Sequence, residues 1–363
     1  MELMGYIQKQ KRGFDELPLG VLDILAFAWF TYGDYAPLTL PFPLPQIAYL
    51  PYYKKEDAFE ESFMPDKSVI FVRSMARCPR YKDVELLEYE AAKDREKAVQ
   101  FSAMAFRIDG RILIAYEGTD PSYEGWKEDF MMSYSDEIAS YSLALKFFNR
   151  VHAKYREPII LAGHSKGGNI ATYVLAKAKS VERIEGAYSF EGPGFHEKDI
   201  FAGKKARLAK HHKYVPQCSI VGIVFEDEAK MNIIRSTGFG VLQHNPFSWV
   251  IKDDDFVYLK KRTLTSKYVD RAFNGWVNGL SDEEKKRFSD ILFRALGKMD
   301  VTNFTRFFKS FLGQIGPLFH QYRILDESDK RFFQFVLKRL GKSAVKAFTK
   351  EEPPRLGIEE KKA

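Results

Sequence analysis

The pattern of apolar and polar positions divides the chain into three parts. Residues 17–34 carry apolar side chains at helical spacing before Gly33, which predicts a helix packed on a core. Residues 35–66 combine six prolines with aromatic side chains, which disfavours regular structure. Strand-like runs begin near residue 98, and the pattern becomes helical beyond about residue 255. The predicted regions are a covering segment over 1–97, an α/β core over 98–255 and a helical region over 256–363.

Within the core region, strand-like and helical runs alternate. Residues 99–106 and 112–116 flank the turn Asp109-Gly110, which predicts an antiparallel hairpin. A helix is predicted over Ala139–Lys154, followed by a buried strand at 158–162 and a second helix over 169–179. This order is typical of a parallel α/β crossover. Further strands are predicted at 187–190, 212–215 and 231–235.

Composition indicates a folded, soluble protein. Of the 363 residues, 45% are hydrophobic and 15% aromatic, as in globular domains. No secretory signal is recognisable, and the longest apolar stretch is too short for a bilayer, so we expect a cytoplasmic protein.

The net charge is +7, but basic and acidic residues are interleaved along most of the chain, which argues against a nucleic-acid partner. The basic C-terminal third leaves an anionic membrane surface open as a partner.

One short motif carries chemistry. Gly163-His164-Ser165-Lys166-Gly167 follows the predicted buried strand and precedes a helical run. This is the Gly-x-Ser-x-Gly pattern of a nucleophile elbow, in which a tight turn presents the serine hydroxyl above the sheet. A phosphate-binding loop is disfavoured, because the Gly-Lys-Ser/Thr ending is missing. Ser165 is therefore the predicted nucleophile.

The motif and its surroundings resemble a known family. The run 162–169 resembles the elbow of class 3 lipases, the fungal-type triacylglycerol lipases, and 115–120 with 125–129 looks like that family's Arg-Gly-Thr strand end and Trp-x-x-Asp segment. Residues 190–195 and 243–246 are also similar to a bacterial set of lipase-like proteins of unknown function. The resemblance implies an α/β-hydrolase fold. Together with the apolar pattern described above, it predicts a mostly parallel central sheet, an N-terminal entry helix and a C-terminal helical appendage.

A serine nucleophile needs a base, and chain order ranks the seven histidines. Hydrolases of this fold run nucleophile, acid, histidine along the chain. His244 lies in a loop just past the predicted strand 231–235, where the base belongs. His164 is adjacent to the nucleophile and is interpreted as structural. His244 is the predicted base.

The acid is harder to assign. In class 3 lipases it follows the penultimate strand, but this chain has Ser219 there. Glu191 ends the preceding strand and can replace it, because the role requires only a buried carboxylate that orients the histidine. Asp227 and Glu226 are the alternatives, and a site with no acid is the third reading.

The oxyanion hole is predicted from two turns. One donor is the backbone N–H of Lys166, the residue after the nucleophile. By resemblance, the Gly118-Thr119 turn supplies the other, through the N–H and hydroxyl of Thr119. No metal or cofactor is required.

We therefore expect a serine hydrolase that cleaves carboxylic esters, most simply of lipid-like acyl groups, through an acyl-enzyme. Apolar residues of the Pro-rich segment 35–66 and of the helical tail are expected to line an acyl pocket. A catalytically inactive binding or scaffold protein is the alternative, motivated by Ser219 at the usual acid position. An acyltransferase or thioesterase would use the same site.

Overall fold

The computed structural model describes residues 1–349 except 61, 198, 226, 300–303 and 305–319. The helices found in these residues are α1 Leu3–Lys9, α2 Val21–Phe30, α3 Pro65–Arg77, α4 Tyr123–Met131, α5 Ala139–Lys154, α6 Lys166–Lys177, α7 Lys205–Leu208, α8 Leu264–Val277, α9 Asp282–Lys298 and α10 Glu327–Thr349. The strands are β1 Phe42–Pro43, β2 Glu85–Asp94, β3 Val99–Ile108, β4 Arg111–Tyr116, β5 Ile159–His164, β6 Ile184–Phe190, β7 His211–Pro216, β8 Met231–Ile234, β9 Ile251–Lys252, β10 Asp255–Phe256 and β11 Tyr258–Leu259.

A large mixed sheet forms the centre of the molecule. Its strand order over the described residues is β1-β2-β3-β4-β5-β6-β7-β8-β11. Strands β4 to β8 are parallel, whereas β1 to β4 and the pair β8–β11 are antiparallel. The prediction of a mostly parallel sheet is therefore correct for the centre and wrong for both edges. Short connections between β2, β3 and β4 force antiparallel pairing, because only a crossover helix returns the chain for a parallel strand.

Helices cover both faces of this sheet, because the central strands are apolar on both sides. In β5, Ile159 and Leu161 join the core formed with α5 and α6, whereas Ile160 and Ala162 join the core formed with α2 and α3. This division follows from the alternation of side chains along a strand. The result is a three-layer α/β sandwich with β5 at its middle.

The Pro-rich segment packs into one of these layers. It forms three short 3₁₀ helices between residues 44 and 59, and Leu44, Ile47 and Tyr53 are fully buried in the core shared with α2 and α3. The sheet already includes β1 and β2, so it begins well before residue 98.

A buried ion pair joins α2 to the loop that follows α3. Asp23 and Arg80 have fully buried side chains, with Arg80 Nη2 2.7 Å from Asp23 Oδ2. The hydroxyls of Tyr6 and Tyr81 donate to the same carboxylate. Such a pair is tolerated only when its remaining hydrogen-bonding groups are satisfied, which holds the N-terminal helices in one arrangement on the sheet.

No helix of the described residues has both the length and the apolar character needed to cross a bilayer.

Candidate active site

Ser165 lies in the turn between β5 and α6. Its backbone adopts φ 57° and ψ −131°, a left-handed conformation that is unfavourable for a residue with a side chain. The Ser165 N–H donates to the carbonyl of Phe190 at 2.9 Å, which helps to hold the strained residue in place. The side chain is partly exposed, whereas His164 and Lys166 on either side are buried.

The two glycines of the motif are required by close backbone contacts. A Cβ on Gly163 would lie 2.1 Å from the carbonyl carbon of Gly167, and a Cβ on Gly167 would lie 2.1 Å from the carbonyl oxygen of Tyr116. Both distances are far below van der Waals contact. The turn therefore has the geometry predicted for a nucleophile elbow.

The Gly118-Thr119 turn follows β4, next to this elbow. A Cβ on Gly118 would meet the carbonyl oxygen of His164 at 2.5 Å, so the two turns are in contact. The backbone N–H groups of Thr119 and Lys166 have no acceptor among the described residues. The Thr119 hydroxyl donates to both carboxylate oxygens of Asp129, at 2.8 and 2.7 Å. The donor that Thr119 keeps available is therefore its N–H, whereas the hydroxyl was expected to serve as well.

The side chain of Lys166 is buried beneath this turn. Its Nζ donates to the backbone carbonyl of Gln100 at 2.7 Å, to Gln100 Oε1 at 2.6 Å and to Glu128 Oε2 at 2.9 Å. Gln100 Nε2 in turn donates to the Gly118 carbonyl at 3.2 Å. Burial alone would lower the pKa of Lys166, but Glu128 and Asp129 raise it above its usual value. A charged lysine thus supports the Gly118-Thr119 turn from behind.

His244 and Glu191 lie together. His244 Nδ1 is 3.5 Å from Glu191 Oε2, and Glu191 is 1% exposed at the end of β6. The other oxygen, Oε1, accepts from the Gly222 N–H at 2.7 Å and from the hydroxyl of Ser219. The serine found at the usual acid position therefore hydrogen-bonds the carboxylate that faces His244.

Asp227, the alternative acid, is bound in a separate group of charged side chains. Its carboxylate is 2.6 Å from Lys213 Nζ and 3.2 Å from His211 Nε2. Burial would raise the pKa of Asp227, but Lys213, and then His211, lower it far below its usual value. Glu226 lies outside the described residues.

His164 connects the elbow to the loop that carries His244. Its Nε2 is 2.8 Å from the His244 carbonyl and its Nδ1 is 3.0 Å from the Tyr32 hydroxyl. Burial, and then the neighbouring His244 ring, lower the pKa of His164 well below its usual value, so the ring is neutral. A carbonyl only accepts, so Nε2 carries the proton and Nδ1 accepts from Tyr32. The two imidazole rings are 4.6 Å apart between centroids.

Gln243 fixes the same loop from the other side. Its Oε1 accepts from the Cys218 N–H at 2.9 Å, its Nε2 donates to the Gly238 carbonyl at 2.9 Å, and its own carbonyl accepts from Trp249 Nε1 at 2.8 Å. The residue is 5% exposed. The His244 backbone is therefore held by buried side chains on both sides.

An apolar cavity of about 350 Å³ opens at Ser165. Helices α4, α8 and α9 form much of its wall, and Pro193 and residues 221–225 contribute to the rest. Its apolar lining includes Trp126, Phe130, Met132, Val221, Val224, Phe225, Phe273, Trp276, Val277, Leu280 and Phe288. The helical region lines the cavity as expected. None of the described residues of the Pro-rich segment does, because that segment is packed into the core on the other face of the sheet.

Asp129 lies in the wall of this cavity, and its pKa is raised above the ordinary range of a carboxyl group. Burial raises the pKa of Asp129 to about 6, although the Lys166 charge opposes the shift. The unfolded-state value is near 4. Between about pH 4 and pH 6, Asp129 is therefore protonated in the folded protein and ionised in the unfolded chain. The free energy of unfolding consequently decreases as the pH rises from about 4 to about 6, and it is regained as the pH falls again.

We expect Asp129→Asn to remove this pH dependence. Relative to the wild type, the variant should gain about 1 kcal/mol more in free energy of unfolding at pH 7.5 than at pH 5. Urea unfolding at the two pH values measures the difference. Asp83→Asn is the control, because that side chain is 87% exposed and should show no such gain. An equal effect of Asp129→Asn at both pH values would contradict the argument.

Several residues that support the site carry little or no signal in the sequence. Tyr32 and Gln100 lie far from the motif along the chain, and nothing in their local patterns marks them, whereas Glu128 falls within the segment 125–129 that resembles the class 3 lipases. Gln243 was noticed only as part of a resembling segment. Among the described residues, no group of three or more His, Cys, Asp or Glu side chains is arranged to hold a metal ion.

Comparison with known proteins gives a family and two weak structural likenesses. The family model described as Mbeg1-like matches residues 75–294, more than half of the chain. Lip2 lipase from Yarrowia lipolytica is 16% identical with a TM-score of 0.33, over 44% of this chain and 68% of that protein. A Rhizomucor miehei lipase–propeptide complex is 14% identical with a TM-score of 0.34, over 60% of this chain and 68% of that one. TM-scores this low carry no inference about activity. No curated protein matches the chain.

Proposed function

The chain belongs to the Mbeg1-like family, and we propose that it is a serine hydrolase of the α/β-hydrolase fold that cleaves lipid-like carboxylic esters. One observation carries the proposal. Ser165 is held in a strained strand-to-helix turn at the opening of an apolar cavity. Backbone strain of this kind is retained where it serves a function, and here it presents a hydroxyl to the cavity.

In the proposed mechanism, His244 removes the Ser165 proton as the hydroxyl oxygen attacks the acyl carbonyl. The carbonyl electrons move to oxygen, and the N–H groups of Thr119 and Lys166 hold that oxyanion. His244 then gives the proton to the leaving alcohol as the tetrahedral intermediate collapses to an acyl-enzyme. A water molecule, deprotonated by His244, then attacks the acyl carbonyl. The bond between the acyl carbon and Ser165 Oγ breaks, His244 returns the proton to Oγ, and the carboxylic acid leaves.

Glu191 is the acid of the proposed triad. Its Oε2 faces His244 Nδ1 at 3.5 Å and has no other partner among the described residues. This distance exceeds a normal hydrogen bond, but triad contacts are often long without substrate. Because Oε1 is already held by Ser219 and Gly222, the second oxygen is left to orient the imidazole and to stabilise its charged form.

The cavity supports an acyl substrate. At about 350 Å³ it lies at the lower end of the range for small-molecule pockets, roughly 300–1,000 Å³. Its lining is dominated by aromatic and aliphatic side chains, which favour an alkyl chain over a sugar or a charged group. A single acyl chain, with its carbonyl at Ser165, suits both the size and the polarity of this space.

The inactive-scaffold alternative loses its main support. It was motivated by Ser219 at the usual acid position, but the Ser219 hydroxyl donates to Glu191. A serine in this role supports a carboxylate displaced to the end of β6 rather than the absence of one. The elbow and the Gly118-Thr119 turn, which carry motifs resembling class 3 lipases, are also in contact, which supports the proposed hydrolase function.

A fluorophosphonate probe tests the proposal. We expect the wild-type protein to be labelled and Ser165→Ala to be unlabelled, because the probe reacts with an activated serine. Ser133→Ala is the matched control, since Ser133 lines the same cavity but its hydroxyl donates to the Phe130 carbonyl at 2.7 Å. Labelling that survives Ser165→Ala, or a folded wild type that is never labelled, would refute the proposal.

A further inference from the structure

Helix α10 lies outside the family-matched span and packs on the outside of α8. Trp276 Nε1 donates to the Val336 carbonyl at 3.3 Å, the Tyr268 hydroxyl donates to the Ala344 carbonyl at 3.2 Å, and Ser343 Oγ donates to the Ala272 carbonyl at 2.8 Å. These contacts bind one side of α10 to the body of the protein. The opposite side is exposed over most of its length.

The exposed side of α10 carries large apolar residues. Leu337 is 47% exposed, Val345 is 65% exposed and Phe348 is 47% exposed. Their spacings of eight and three residues place them on one side of a helix. Monomeric proteins seldom leave several large apolar side chains exposed side by side, so the stripe indicates a surface that is covered in use.

The same surface is strongly basic. Between residues 330 and 348 there is no acidic residue, and the basic residues are Lys330, Arg331, Lys338, Arg339, Lys342 and Lys346. Arg331, Lys338 and Lys342 are exposed and share one line along the helix, directly beside the apolar stripe. A helix with an apolar stripe bordered by lysine and arginine is the arrangement used at membrane surfaces.

The segment before α8 extends this surface. The Tyr268 and Phe348 rings are in contact, 6.1 Å between centroids, so the start of α8 lies beside the end of α10. Leu264 is 52% exposed, one turn before Tyr268. Lys260 and Lys261 just ahead of it are exposed as well. We call the exposed side of α10 together with residues 259–264 the basic-apolar face.

We infer that the basic-apolar face docks on a bilayer containing anionic lipid. The apolar side chains enter the headgroup region while the lysines and arginines meet lipid phosphates. A nucleic acid would match the basic residues but leave the apolar stripe in water. A second copy of the same face would bring two sets of like charges together. An anionic lipid surface satisfies both the charge and the apolar stripe.

Docking here would place the bilayer close to the cavity at Ser165, because the docking helix α10 packs on α8 and α8 contributes Phe273, Trp276 and Val277 to the cavity wall. This link to a membrane-derived acyl substrate rests on the proposed hydrolase function. The docking inference itself does not depend on that function, because it involves none of the residues proposed for catalysis.

Vesicle flotation of the full chain tests the inference. We expect binding to vesicles of phosphatidylcholine and phosphatidylglycerol, roughly 3:1, and little binding to phosphatidylcholine alone. Binding should weaken at least tenfold between about 50 mM and about 300 mM NaCl, because salt screens surface charge. The Ser165→Ala protein should bind as the wild type does, so an inactive enzyme would not affect the result.

Two variants probe the face itself. The triple variant Arg331→Glu, Lys338→Glu and Lys342→Glu should lose binding at least about 100-fold, since each basic residue near an anionic surface contributes several-fold. The matched control reverses Lys82, Lys97 and Lys252, whose side chains are 73%, 79% and 76% exposed elsewhere, and should bind nearly as the wild type does. Val345→Ser should weaken binding roughly fivefold without a change of charge.

Three outcomes would overturn the inference. The first is a folded wild type that does not float with the anionic vesicles. The second is an equal loss in the α10 triple variant and its control, which would show dependence on net charge alone. The third is capture of the face by another partner, seen as a dimer in sedimentation that Val345→Ser dissociates, or as duplex DNA bound through the same basic residues in place of vesicles.

Discussion

Replacing Ser165 with alanine is expected to lower kcat for ester hydrolysis by about 10⁵- to 10⁶-fold while leaving the protein folded. The change removes the atom that forms the acyl-enzyme, whereas the oxyanion donors and the cavity remain. KM should change little, because the acyl group is bound by the cavity wall. The measurement is kcat and KM on p-nitrophenyl esters of increasing chain length, with circular dichroism to verify folding.

Ser133→Ala serves as the control for this measurement as well. It removes a hydroxyl from the same cavity without touching the elbow, and its kcat should stay within about threefold of the wild type. A loss below tenfold in Ser165→Ala would mean that turnover does not pass through this serine.

Glu191→Gln is expected to lower kcat by about 10⁴-fold, the second largest effect. Glutamine keeps the size of the side chain and can still accept from Ser219 and the Gly222 N–H through its oxygen. It then presents an amide in place of a carboxylate to His244, so the imidazole is neither held in the productive tautomer nor stabilised when protonated. Steady-state kinetics between pH 6 and 9 would report the loss.

Asp227→Asn is the comparison that decides between the two acids. Asp227 is paired with Lys213 and His211, so its replacement should lower stability but leave kcat of the folded protein near the wild-type value. The reverse result, a kcat loss in Asp227→Asn with Glu191→Gln active, would move the acid to the Asp227 region.

The elements with the clearest periodicity could be predicted from sequence. The helix over Ala139–Lys154 is found with the predicted bounds, and the hairpin of β3 and β4 has its turn at Asp109-Gly110. Strands β5 to β8 were each expected within a few residues of their observed ends. Local apolar patterns suffice here, because each of these elements buries one or both of its faces.

The edge of the sheet could not be predicted in this way. Strand β2 spans Glu85–Asp94 and mixes five charged residues with apolar ones, because much of it is only partly buried. A register shift between Leu86 and Glu88 also breaks the alternation. Its pairing with β3 depends on a partner rather than on its own pattern, so the mixed character of the sheet appeared only in three dimensions.

The part of the candidate site in which chemistry dictates the residue type could be predicted from sequence. The part that depends on how distant residues pack together could not. Ser165 follows from a motif whose glycines are sterically required. The choice among Glu191, Asp227 and Glu226 could not follow from sequence, because it depends on which carboxylate the folded chain brings to His244. Ser219 could not be interpreted from sequence for the same reason. Its hydroxyl donates to Glu191, a residue 28 positions away along the chain.

The hydrogen bond from Tyr32 to His164 has a consequence for exchanging parts between relatives. Tyr32 follows α2 and precedes the family-matched span, yet it holds the ring that in turn donates to the His244 carbonyl. A chimera that received only residues 75–294 would inherit Ser165 and His244, the proposed nucleophile and base, without the hydroxyl that aligns the loop carrying His244. The segment needed for the proposed activity is therefore longer than residues 75–294, and exchanging that span alone should give a folded protein in which the His244 loop is misaligned.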